Sequence, residues 1–184
     1  LITADISLGA YSSWTPIADY ASDSSLKFTG ILNGNGHDIS GLKIVSTGDF
    51  NGLLGYAGAN SIISGVSLSD VNVSGQNYTG GLLGYNRGGD VYSCYSSGTV
   101  RGNDCCGGLI GAHEFGGVTN SHSSGKVYGA YAVGGLIGST RDEKSPVKNC
   151  YSDAYVEGTT EVGGLIGVNI CFVSGCFATG IVKA

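Results

Sequence analysis

The tetrapeptide Gly-Leu-(Leu/Ile)-Gly occurs five times, at Gly52–Gly55, Gly81–Gly84, Gly108–Gly111, Gly135–Gly138 and Gly164–Gly167. The first glycines are separated by 81−52 = 29, 108−81 = 27, 135−108 = 27 and 164−135 = 29 residues. A near-constant period of this size marks a stacked repeat, in which each unit buries its apolar face only against its neighbours. Most of the sequence is therefore committed to stacking, and chemistry has to come from positions that depart from the repeat.

Each tetrapeptide is followed by Val-x-x-(Cys/Ser)-x-(Ser/Ala) and then by Gly-x-Val-x-Gly or a variant, giving three short β-prone runs separated by glycine-rich bends. Stacked in register, one column reads Ile39, Ile63, Val91, Val118, Val147, Val173, and the next reads Leu42, Val66, Cys94, Ser121, Cys150, Cys176. Both must be interior, yet they lie three residues apart, where strict alternation puts side chains on opposite faces. A bulge or bend is therefore expected between them, at Gly41, Gly65, Ser93, Asn120, Asn149 and Gly175. A third inward column is Val73, Val100, Val127, Val156, Val182. Helical periodicity is absent. The expected fold is all-β: a right-handed parallel β-helix of about six coils, with a shorter, degenerate first coil. Residues 1–29 are expected to form an atypical N-terminal capping coil, and 30–184 one continuous repeat domain.

Glycine supplies 34 of 184 residues, but without a Gly-X-Y period, which excludes collagen; the apolar columns argue against a disordered chain. The net charge of −5 offers no basic patch for nucleic acid or an anionic membrane surface, and no long apolar run for membrane insertion. The chain opens without an initiator methionine and ends within a strand-like run, the pattern expected of a piece of a longer protein.

Gly-Gly-Leu-Ile-Gly followed by Asn149-Cys150-Tyr151 and Gly-x-Val-x-Gly resembles the GLUG repeat family. The stretch from Trp14 through Asn33-Gly34-Asn35-Gly36-His37 to Leu42 looks like the segment that often precedes such repeats. Members are bacterial secreted and surface proteins, among them adhesin-like proteins and immunoglobulin-A-specific metallopeptidases. The resemblance implies an extracellular or cell-surface module. The peptidases' His-Glu-x-x-His is absent here, so no catalytic residues carry over.

Of the three histidines, His113 precedes Glu114, but position 117 is glycine, so no zinc pair forms and His113 is expected in a solvated loop. His37 lies in a Gly-Asn-Gly bend. The acidic side chains scatter over different bends, which favours solubilising charge over a paired-carboxylate site. No metal or cofactor is expected. Cys150 and Cys176 share an inward column on adjacent coils, close enough to bridge, but the expected state is a buried free thiol acting as a small hydrophobe, with the disulfide as the alternative. Cys105-Cys106 are neighbours, with Cys106 in the inward slot of Val133 and Val162.

The candidate binding surface is outward. Tyr95, His122, Tyr151 and Phe177 form an aromatic ladder over four successive coils, flanked by Tyr92, Thr119, Lys148 and Ser174. Stacked rings stabilise a sheet surface, and they also suit contact with a glycan or a protein. A third face carries Thr99/Arg101, Lys126/Tyr128 and Tyr155/Glu157, too irregular for an ice-binding threonine array. The expected function is a non-catalytic extracellular adhesin, stalk or ligand-binding module with a host or matrix glycan or protein as partner. The alternatives are an accessory substrate-positioning domain of a secreted metallopeptidase, a filament subunit associating end to end, and a polysaccharide-active enzyme.

Overall fold

The structure, a computed structural model, describes residues Leu1–Ala184. Every strand pairing is parallel, and the strands stack into sheets of ten, six, five and four strands. Each sheet takes strands from successive coils of the solenoid. The tetrapeptide strands run Leu54, Leu83, Ile110, Ile137, Ile166 up one sheet. The valine strands run Leu32, Ile63, Val91, Val118, Val147, Val173 up a second. The ten-stranded sheet carries Val73, Val100, Val127, Val156 and Val182 in one column. The four-stranded sheet stacks Thr79, Cys106, Val133 and Val162. Leucines and isoleucines of the tetrapeptides are buried through Ile137, and with the valine columns they form a continuous core of 25 residues.

The bends follow from backbone conformation. Gly41, Gly65, Ser93, Asn120, Asn149 and Gly175 all have positive φ, from 49° to 72°. One left-handed residue per coil lets two consecutive inward positions lie three apart, as expected. Glycine meets this need without strain and asparagine at little cost. A second left-handed column has no glycine at all: Phe50, Tyr78, Cys105, Ala132 and Glu161, with φ between 51° and 61°.

The tetrapeptide glycines are there for close approach. A Cβ on Gly81, Gly108 or Gly135 would collide with Ser96, Ser123 or Ser152, the buried serine column of the ten-stranded sheet. A Cβ on Gly111 would lie 2.6 Å from the Tyr78 carbonyl carbon, and one on Gly138 2.5 Å from that of Cys105. The second glycine thus presses the backbone of one sheet against the left-handed column of the next.

The first coil corrects the expected register. Ile39 stacks on Leu68 instead of Ile63, and it is Leu32 that stacks on Ile63. Leu42 likewise leaves the column of Val66: its neighbour Lys43 pairs with Asn72 and Ile44 with Val73. Between the paired Ile17 and Leu54 this coil spans 54−17 = 37 residues, so it is longer than the later coils. Ile39-Ser40-Gly41 and Ile63-Ser64-Gly65 look alike because each is a strand ending in a left-handed glycine, but they occupy different corners. Before it, Ile6–Ser7 pairs with Ile39 and Ser40, and the Trp14 N–H donates to the Lys43 carbonyl, so the N-terminal segment stacks as a further irregular turn.

Candidate functional site: two aromatic faces

The four ladder residues stack as the register requires. Tyr95 pairs with His122, His122 with Tyr151, and Tyr151 with Phe177. Ring centroids lie 4.3, 4.5 and 5.1 Å apart, with interplanar angles of 29°, 10° and 3°. The first three rings are half-buried and Phe177 is exposed. Tyr95 Oη and Ser124 Oγ, 2.9 Å apart, share a hydrogen bond that fixes the top of the ladder. Partial burial holds the His122 imidazole below its ordinary pKa, favouring a neutral ring that stacks without a desolvation cost. The flanking Tyr92, Thr119, Lys148 and Ser174 form a parallel row. On the third face Arg101 lies over the Tyr128 ring, Tyr155 donates to Glu157 at 2.6 Å, and Lys183 pairs with Glu157 at 3.2 Å.

Cys150 and Cys176 occupy adjacent levels of one column as free thiols, and the Cys150 N–H points at Cys176 Sγ, 3.3 Å away. Burial pushes the Cys150 thiol up to about 12 and Cys94 to about 11. Cys106 fills the slot of Val133 and is likewise raised to about 12 by burial. Thiols so far from ionisation are core side chains, not nucleophiles.

His113 is not in a solvated loop. It pairs with Asn86 and Thr140 in the tetrapeptide sheet and is completely buried. Its Nδ1 lies 3.1 Å from Asn86 Nδ2, its Nε2 has no partner, and burial lowers its pKa to about 4. The strand continues one residue pair further than the apolar pattern indicates, which carries His113 inward and Glu114 to the rim. His37, in its bend, lies 3.1 Å from Asp5. No three His, Cys, Asp or Glu side chains gather as a metal set.

The sequence reading missed a second aromatic face. The left-handed column carries Phe50 and Tyr78, and the adjoining outward positions of the tetrapeptide strands carry Tyr56 and Tyr85. Phe50 stacks on Tyr78 at 5.0 Å, Tyr56 on Tyr85 at 5.3 Å, and Tyr20 on Tyr56 at 4.4 Å. Cations cluster there. Lys27 lies 5.8 Å from the Tyr20 and Tyr56 centroids, and Arg141 lies 5.1 Å from Tyr78 and 5.8 Å from Tyr85. Tyr85 donates to Glu114 at 2.6 Å, and Arg87 pairs with the same carboxylate oxygen at 3.3 Å. Burial and the Glu114 charge both raise the Tyr85 phenol above its usual range. The one available signal was Phe50, Tyr56, Tyr78 and Tyr85 recurring near successive tetrapeptides; what hid it was a left-handed column without glycine.

These features define the class: a parallel β-solenoid repeat protein with stacked aromatic columns, one half-exposed and the other partly buried about Tyr56 and Tyr85. Within that class the chain carries the GLUG motif, whose family model matches residues 75–101, one coil of the array. It is 37% identical over 103 residues to Halomucin of Haloquadratum walsbyi, a match that covers 52% of this chain and 1% of Halomucin. It is 36% identical over 96 residues to a "Putative Gly-rich membrane protein" of Evansella cellulosilytica, covering 47% of this chain and 11% of that one. The crystal structure of a "putative immunoglobulin A1 protease" from Bacteroides ovatus superposes with a TM-score of 0.79 at 20% identity, over 97% of this chain and 58% of that chain. That likeness establishes a shared fold. The chain thus spans only a small part of its sequence relatives.

Proposed function

We propose that this chain is a non-catalytic solenoid module of a surface or secreted protein, displaying the ladder Tyr95–His122–Tyr151–Phe177 to a host or matrix glycan or protein. The observation that carries the reading is the ladder itself: four rings in register, stacked with their planes near parallel, with Phe177 more than half exposed. Stacked in this way, the rings present a row of edges, with an apolar body and, in the tyrosines, a polar tip, the kind of side chain enriched at interfaces. An extracellular setting accords with the naming of one relative as a membrane protein. A second reading, an accessory domain that positions substrate for a peptidase, draws support from the fold shared with the Bacteroides ovatus protein. The test is a screen of the intact chain against glycan and host-protein arrays, repeated with Tyr95→Ser, Tyr151→Ser and Phe177→Ser combined. Binding that vanishes while the circular dichroism spectrum is kept supports the ladder; binding that survives removes it.

A further inference from the structure

Arg87, Glu114 and Arg141 occupy one column at the end of the tetrapeptide strands, because Glu114 pairs with Arg87 in register and His113 with Thr140. The level of Glu114 therefore lies between those of two arginines. Glu114 Oε2 is taken by Arg87, at 3.3 Å, and by the Tyr85 hydroxyl, at 2.6 Å, which leaves Oε1 to accept. Arg141 has no carboxylate partner. Its Nη2 alone makes contacts, at 3.4 Å to Tyr78 Oη and 3.4 Å to Cys105 Sγ, which leaves Nη1 and Nε free to donate.

Arg141 itself is on the repeat; the departure follows it. From this column to the next valine the chain takes 91−87 = 4 and 118−114 = 4 residues in two coils, but 147−141 = 6 in the coil of Arg141. Beside Arg141 the aromatic face tapers. The outward column shrinks from Tyr56 and Tyr85 to Ala112 and Ser139, and the left-handed column from Phe50 and Tyr78 to Cys105 and Ala132. The taper leaves a shallow cavity of about 470 Å³ lined by Tyr85, Glu114, Tyr131, Ser139 and Arg141, within the range of small-ligand sites. Tyr131 is 44% exposed and stands at its edge, with its hydroxyl turned to Glu161.

We propose that this cavity is a binding site for an acidic saccharide unit, a uronate: Arg141 takes its carboxylate, Tyr131 stacks on its ring, and Glu114 accepts from its hydroxyls. Nη1 and Nε lie on different edges of the guanidinium, so Arg141, seated on aromatic rings, meets a carboxylate through single charge-assisted hydrogen bonds. A wall combining an aromatic ring with a carboxylate acceptor suits a sugar and not a simple acid. The site lies on a different sheet from the ladder and does not rest on the reading given above. The net charge of −5 also works against adventitious capture of polyanions, so retention of one has to be local.

The test is calorimetric titration of the intact chain with tetragalacturonate, with neutral tetragalactose and with tetraglutamate. Expected results are binding of the uronate only, weakened by salt, with Arg141→Ala losing at least about tenfold in affinity and Arg141→Lys losing less. Tyr131→Ala should also weaken the uronate, while the triple serine ladder variant keeps it. Thermal melting confirms that each variant is folded, and Arg141→Lys carries the test if Arg141→Ala is not. The proposal is overturned if tetragalacturonate does not bind, if tetraglutamate or tetragalactose binds equally well, or if a folded Arg141 variant and Tyr131→Ala both bind like the parent. Loss of uronate binding only in the ladder variant would move the site to the ladder.

Discussion

His122 lies face to face with Tyr151, their ring centroids 4.5 Å apart and their planes within 10° of parallel. This pair joins the upper and lower halves of the ladder, and it exists because residues 29 apart in sequence fall at the same level of adjacent coils. Removing the middle ring breaks two contacts at once. His122→Ala should cost ~0.5–2 kcal/mol, the sum of two cross-strand pairs, measured as a shift of the urea midpoint at constant m-value. Double-mutant cycles with Tyr95 and Tyr151 should each return a coupling of a few tenths to ~1 kcal/mol.

Glycines of the tetrapeptide and glycines of the bends should respond differently to alanine. Gly138→Ala places a Cβ 2.5 Å from the Cys105 carbonyl carbon and should destabilise by ~3 kcal/mol or more. Gly36→Ala meets no atom within 4 Å and suffers only its positive φ of 79°, so ~1–2 kcal/mol is expected. Thermal melts of the two variants distinguish packing from conformation; equal losses would contradict the close-approach account.

Ser93 holds a left-handed conformation at φ 54° on an exposed bend, in the column where Gly65 and Gly175 stand in other coils. Ser93→Gly should therefore stabilise by a few tenths to ~1 kcal/mol. Ser93→Val, branched at Cβ, should destabilise by at least ~1 kcal/mol. Chemical denaturation of the pair reads both signs.

Stability should fall in mild acid through His113. Its folded pKa is about 4, below the ordinary 6.5, so the unfolded chain binds the proton more readily. The neutral-His contribution is complete above the unfolded pKa and is lost as pH falls from 6.5 toward 4; a shift of this size corresponds to ~3 kcal/mol. In His113→Gln the unfolding free energy should lose most of its slope between those values, whatever its absolute stability.

Cysteine alkylation gives an independent reading of the core. Cys94, Cys106 and Cys150, with thiols pushed up to about 11, 12 and 12 by burial, should resist iodoacetamide at mildly alkaline pH until the chain unfolds. Oxidation during refolding, while the thiols are still accessible, should join Cys150 to Cys176 before any other pair, as read by peptide mass mapping, because adjacent levels of one column bring the two residues together.

Much of the architecture is legible in the residues. The tetrapeptide fixes the coil length, the valine and cysteine columns show which face is inward, and the left-handed bends at Ser93, Asn120 and Asn149 follow from two apolar positions three apart. The ladder is legible too, since register alone brings Tyr95, His122, Tyr151 and Phe177 together. The register of the first coil is not, because a left-handed glycine closes more than one corner of the solenoid. Nor is the burial of His113, which depends on how far a strand continues past its last apolar residue.

By itself, then, the sequence determined everything that repeats: period, inward columns and outward ladder, because identical positions stack at one spacing. Only the tertiary structure decided what lies between columns. Tyr78 and Arg141 are 63 residues apart and in no common column, yet they meet, as do Cys105 and Arg141. Their meeting depends on a conformation that sequence does not mark, a left-handed turn at Tyr78 and Cys105 without glycine. Backbone pressed against backbone at Gly111 and Gly138 brings those side chains onto one face.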